Sequence, residues 1–133
     1  MIIKVFPDKE RVKMILNRTE ERIRYISYID VKEFYSIKAE NYYEIIGELI
    51  TALILLSGFK TTGENAHKEL IQLLSKNKMF SEEEISLIDD LRIRRNKFLY
   101  EAKPIELVYI ENNQEKLKRV IDKLKKIVND NLI

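Results

Sequence analysis

Arg92, Arg95, Asn96 and Tyr100 are the residues of this sequence whose types and spacing could do chemistry. Wound as a helix, Ile85, Ile88, Leu91, Arg95, Phe98, Leu99 and Ala102 fall along one line. Arg95 thus stands where the pattern calls for an apolar side chain. Arg92, Asn96 and Tyr100 follow at i, i+4 and i+8 and stack along the adjacent ridge. A guanidinium on an inward line needs an acceptor or a wet cleft, because an unpaired buried charge costs several kcal/mol. Two acceptors fit. One is a carboxylate, such as Asp89, Asp90, Glu40, Glu44 or Glu48, from this chain or a partner. The other is a phosphate, whose oxygens match the planar fork of arginine.

His67, in Glu64-Asn65-Ala66-His67, is the single imidazole of the chain. Its plain role is a surface or capping residue at a helix start. Its sharper role is at the mouth of the Arg95 cleft. Lys116, Arg119, Lys123 and Lys126 line up at i, i+3, i+7 and i+10 beside the apolar stripe of the last helix. Such a row is ordinarily a solvated flank whose stems cover the core edge. Bordering the cleft, Arg119 and Lys123 would extend a phosphate-binding track, with Arg94 a further contributor. Tyr25, Tyr28, Phe34, Tyr35, Tyr42 and Tyr43 recur at helical spacing and fit core and dimer packing better than base stacking.

The elements that must position these residues are helices. Three glycines and two prolines among 133 residues leave little material for tight turns. Leu, Ile, Lys, Glu and Arg are good helix formers, and the length suits a single domain over 1–133. A first helix is predicted from near Pro7, with Val12, Ile15, Leu16, Thr19, Ile23, Ile26 and Ile29 inward and Arg11, Arg18, Glu21 and Arg22 opposite. Asp30 is a candidate cap for a second, central helix over 31–57. Phe34, Ile37, Ile45, Ile46, Leu49, Leu53 and Leu56 make its broad apolar face, and Gly47 reads as a point of close helix packing. Gly58 ends that helix, and 58–63 reads as a loop. A short helix over 64–75 follows.

Ser81 and Glu84 form a capping box for the fourth helix, which runs through Tyr100 and stops at Pro104. After an irregular stretch, Asn112 or Asn113 starts the last helix, with Leu117, Val120, Ile121, Leu124, Ile127 and Val128 inward. The fold class is all-α, an antiparallel bundle of four to five helices.

Composition narrows the function. Twenty-four basic residues against 22 acidic ones give +2, so a nucleic-acid partner would need a local patch. Without cysteine there is no disulfide or thiolate site, and with one histidine no metal site is expected. No cofactor is called for. The longest apolar run, over 49–56, is too short for a bilayer, and no signal pattern follows Met1; the expectation is a cytoplasmic protein with no membrane partner. Abundant Lys, Glu and Ile without Cys or Trp fit a thermophile.

Gly58-Phe59-Lys60-Thr61-Thr62-Gly63-Glu64-Asn65-Ala66-His67-Lys68-Glu69-Leu70, followed after a helix by Leu91-Arg92-Ile93-Arg94-Arg95-Asn96-Lys97-Phe98-Leu99-Tyr100-Glu101, resembles the HEPN superfamily. The resemblance covers about 35–124. It implies a small helical bundle, a homodimer, and a nucleotidyltransferase as a partner protein. Many such domains cleave RNA with an arginine, a following polar residue, and a histidine four to six residues further on. Arg95 and Asn96 match the start. The histidine is missing, because Tyr100, Glu101 and Ala102 occupy its permitted positions, and counting from Arg94 gives Leu99, Tyr100 and Glu101. A phenol exchanges protons poorly near neutral pH.

The resemblance therefore implies a nucleotide- or RNA-binding module with a degenerate ribonuclease motif over 95–100, and the candidate phosphate-binding residues are Arg92, Arg95, Asn96 and Tyr100. Two alternatives remain. One is a metal-independent endoribonuclease of a toxin–antitoxin type system, with His67 or Tyr100 moving the proton. The other is a purely structural partner of a nucleotidyltransferase.

Overall fold

Asp8 sets the start of the first helix: its backbone is extended, and its carboxylate accepts a hydrogen bond from the Arg11 amide at 3.0 Å. The computed structural model describes residues 1–133 and places five helices along the chain. They are α1 (Lys9–Ser27), α2 (Tyr35–Leu56), α3 (Ala66–Leu74), α4 (Glu82–Glu101) and α5 (Leu107–Leu132). Two three-residue strands, β1 (Ile2–Lys4) and β2 (Phe59–Thr61), pair antiparallel with Ile3 opposite Lys60. The fold is an all-α bundle with one small ribbon. No helix is long and apolar enough to cross a membrane.

Helix α2 is central and packs against each of the other four. It begins four residues later than its sequence pattern predicts. Asp30 caps a turn instead of a helix: its carboxylate accepts from the Lys32 amide, and its carbonyl accepts from the amides of Glu33 and Phe34. Phe34 and Ile37 consequently stay exposed, while Ala39, Tyr42, Ile45, Ile46 and Leu49 are buried. Among the aromatic residues expected to pack together, Tyr42 and Tyr43 are core, and Tyr25 and Tyr28 lie in solvent.

The predicted loop after α2 contains β2. Gly58 has φ +86°, and a Cβ there would lie 3.2 Å from the Val5 carbonyl oxygen, so glycine alone suits the reversal. Val5 donates to the Gly58 carbonyl at 2.9 Å, tying the ribbon to the end of α2. Strands of three residues are too short to show alternation, which is why the sequence pattern misses them. Helix α3 is correspondingly shorter than expected, with Leu70, Ile71 and Leu74 buried.

The Ser81–Glu84 capping box of α4 is present as its sequence indicates. That helix ends with Ala102 left-handed at φ 54°, exposed and off the inward line. The stretch expected to be irregular is mostly helix, since α5 starts at Leu107 and not at Asn112 or Asn113. Ser36 secures the link before it: its hydroxyl accepts from the Ile105 amide at 3.0 Å and donates to the Ile105 carbonyl at 3.2 Å. The apolar stripe of α5, Leu117 to Val128, is buried throughout.

Candidate functional site

Arg95 leaves α4 toward α2 and α3, where its guanidinium is 13% exposed. Nη2 donates to Glu44 Oε1 at 2.6 Å, Nη1 donates to Asn96 Oδ1 at 3.3 Å, and the charge sits 5.2 Å from the centre of the Tyr43 ring. The acceptor is thus one of the carboxylates that the sequence pattern left open. The fork is incompletely satisfied, because Nε is buried with no partner.

Tyr43 connects this arginine to the histidine. Its hydroxyl lies 2.9 Å from His67 Nδ1, and the two rings are tilted at 43° with centroids 5.7 Å apart. His67, from the first turn of α3, is exposed with one edge turned to Tyr43. Desolvation of that edge, followed by the positive charge of Arg95, lowers its pKa below the ordinary 6.5; Arg92 lowers it further and Glu44 opposes. Burial pushes the Tyr43 phenol up to about 12, so it stays protonated. As the chain's sole histidine, His67 gives a single imidazole signal, expected to titrate with a midpoint below 6.5 by NMR. A midpoint at or above 6.5 would contradict the placement beside Arg95. Because folding disfavours the charged ring, its contribution to stability is present above the unfolded pKa and lost as pH falls.

Beside this cluster, a small cleft of about 120 Å³ is lined by Arg18, Tyr43, Glu44, Gly47, Glu48 and His67. Glu48 accepts from Arg18 Nε at 3.2 Å and from Arg22 Nε at 3.0 Å. Arg92 pairs with Asp89 at 2.8 Å on the α4 side. Four guanidiniums face three carboxylates, and the region carries an excess positive charge. Gly47 is not a close-packing point: a Cβ there would meet nothing within 4 Å, since it opens onto the cleft. Gly47→Ala should therefore stabilise the protein by about 0.5–1 kcal/mol, as a helix-interior glycine without a steric duty. A lower melting temperature in that variant would show that the floor is occupied.

The remaining sequence candidates fall elsewhere. Tyr100 is 78% exposed and is not part of the cluster. Being five residues past Arg95, it has turned away from the α2 interface. Arg94 pairs with Asp90 at 2.9 Å and covers the Tyr109 ring at 4.2 Å, on the α5 side. Lys123 grips the Glu84 carboxylate at 2.7 and 2.8 Å, and Arg119 lines the same groove near the start of α4. Eleven residues of helix, about 17 Å, separate Glu84 from Arg95, so neither cation borders the site. His67 is linked to Arg95 through Tyr43, which touches both.

Comparison with protein-family models, curated proteins and solved structures yields no match to this chain. The site stands on its geometry. Sequence reasoning assigned Tyr43 to packing and Arg18 and Arg22 to a solvated face. Glu44 and Glu48 are among the acceptors that the sequence offers, and their i, i+4 spacing around Gly47 is the signal that joins Arg18 and Arg22 to the same site.

Proposed function

We propose that this chain is an HEPN-like nucleotide- or RNA-binding module, acting as a homodimer, whose phosphate anchor is Arg95 with His67 as a second donor. The observation that carries this reading is the shared Tyr43: its ring lies beneath the Arg95 guanidinium and its hydroxyl fixes His67 Nδ1. If Tyr43 donates to Nδ1, Nε2 keeps the ring proton and offers an N–H alongside the arginine fork. The excess of guanidinium over carboxylate favours an anion, and Nη1 and Nη2 of Arg95 are the fork that it would meet. Glu44 occupies the fork in the free protein and has to yield for phosphate to enter. The exposed Tyr25, Tyr28, Phe34 and Ile37 supply apolar surface for the dimer.

Filter binding or fluorescence titration against unstructured RNA and mononucleotides tests the anchor. Arg95→Ala should weaken binding tenfold or more, about 1.4 kcal/mol or greater. Equal binding by both proteins, or by neither, removes the reading.

The placement of His67 favours a second reading, metal-independent RNA cleavage. In the other tautomer Nδ1–H donates to Tyr43, and Nε2 takes the 2′-hydroxyl proton as that oxygen bonds to phosphorus. The 5′-oxygen bond breaks, the imidazolium or water protonates the leaving oxygen, and Arg95 faces the phosphorane charge. Incubation with RNA in EDTA would show cleavage lost in both His67→Ala and Arg95→Ala; intact RNA across pH 5–9 rules it out.

A further inference from the structure

A second cavity lies on the opposite flank of α2, where α1, α2 and α5 meet, with a volume of about 360 Å³. Ile23, Ile26, Tyr42 and Ile121 form its floor. All but Ile23 are buried, and the Tyr42 hydroxyl is turned to Gln114 Oε1 at 3.1 Å, so the floor presents carbon. Lys38 and Lys118 stand at the rim.

These two ammoniums have no carboxylate shared between them. Burial lowers the Lys38 pKa, the charge of Lys118 lowers it further, and Asp30 opposes. Lys38 reaches only the Ile29 carbonyl, at 3.2 Å, and Lys118 only Glu115, at 3.5 Å. The third rim lysine, Lys125, is already neutralised by Glu20 at 2.7 Å, and Asp122 is the one carboxylate on the rim. Two like charges held over an apolar hollow are relieved by one anionic head whose tail fills the hollow.

We propose that this cavity binds a small amphipathic carboxylate, its head between Lys38 and Lys118 and its tail on Ile26, Tyr42 and Ile121. With Lys125 neutralised by Glu20, Lys38 and Lys118 against Asp122 leave one net positive charge at the rim, which a singly charged carboxylate balances. At roughly 30 Å³ per water-sized group, the volume holds a tail of about ten carbons. The site is separate from the Arg95 cluster and stands whether or not that cluster binds RNA.

Calorimetric titration of the full chain with decanoate, below its micelle-forming concentration, and with the uncharged decanol tests the proposal. Saturable decanoate binding at one site per chain is expected. Lys38→Met and Lys118→Met should each weaken decanoate about tenfold while leaving decanol within twofold. Ile121→Trp, which fills the hollow, should abolish both, and Arg95→Ala should change neither. Absence of saturable decanoate binding to the parent chain overturns the proposal. So does decanoate binding that survives both lysine variants, because the anion would then sit elsewhere.

Discussion

Leu49→Ala is expected to destabilise the protein by about 3 kcal/mol, lowering its melting temperature by roughly 10 °C. Leu49 is fully buried at the middle of α2, within the main apolar cluster that draws residues from all five helices. Truncation removes apolar contact and leaves a hole that several helices would have to close together. Neighbouring Ile45 and Ile46 are equally enclosed, so little local collapse can fill it. Ile93→Ala, on a half-open face of α4, is the matched comparison and should cost under about 1 kcal/mol. Urea or thermal unfolding of the two variants measures the difference. Near-equal losses would mean that α2 is not the centre of the core.

Arg95→Ala is expected to cost about 2 kcal/mol of stability in addition to its effect on binding. Both members of the Arg95–Glu44 pair are less than a third exposed, at 13% and 28%, which places it between surface and interior pairs. Removing the arginine strands the Glu44 carboxylate and strips the cation from the Tyr43 ring. The double variant Arg95→Met/Glu44→Gln removes both charges and should recover to within about 1 kcal/mol of the parent. RNA binding should not recover with it. Glu44→Gln alone should tighten RNA binding severalfold, since the fork loses its internal competitor. If the double variant regained both stability and RNA affinity, the guanidinium would be architecture alone.

The sequence was most legible where one face of a long helix is uniformly apolar. The α5 stripe from Leu117 to Val128 is buried residue for residue. It was least legible where local capping competes with periodicity: Asp30 can cap a helix or a turn, and only the tertiary path of Phe34 decides between them. The inward arginine was readable because it interrupts a stripe. Its partner was not, because five carboxylates had equal claim until α2 and α4 were brought side by side. Tyr100 shows the limit of ridge counting: eight residues past Arg92 the ridge has rotated by about 80°, and the ring lies in solvent although Phe98 still packs on the core. Tyr43 was hidden by its own bulk, being both a core residue and the link between two functional groups.

The β1–β2 ribbon joins positions 61 residues apart, where the Met1 amino group donates to the Thr62 carbonyl at 2.7 Å. The same amino group pairs with Glu69, two residues beyond His67 on α3. Closing so long a segment is entropically costly and yields only a few hydrogen bonds, so it has to follow the helix pairings that bring its ends together. Folding thus has an order for the ribbon alone: β1 docks last, whereas α3 is held by the buried Leu70, Ile71 and Leu74 and His67 by Tyr43, so loosening the ribbon should leave both the bundle and the imidazole in place.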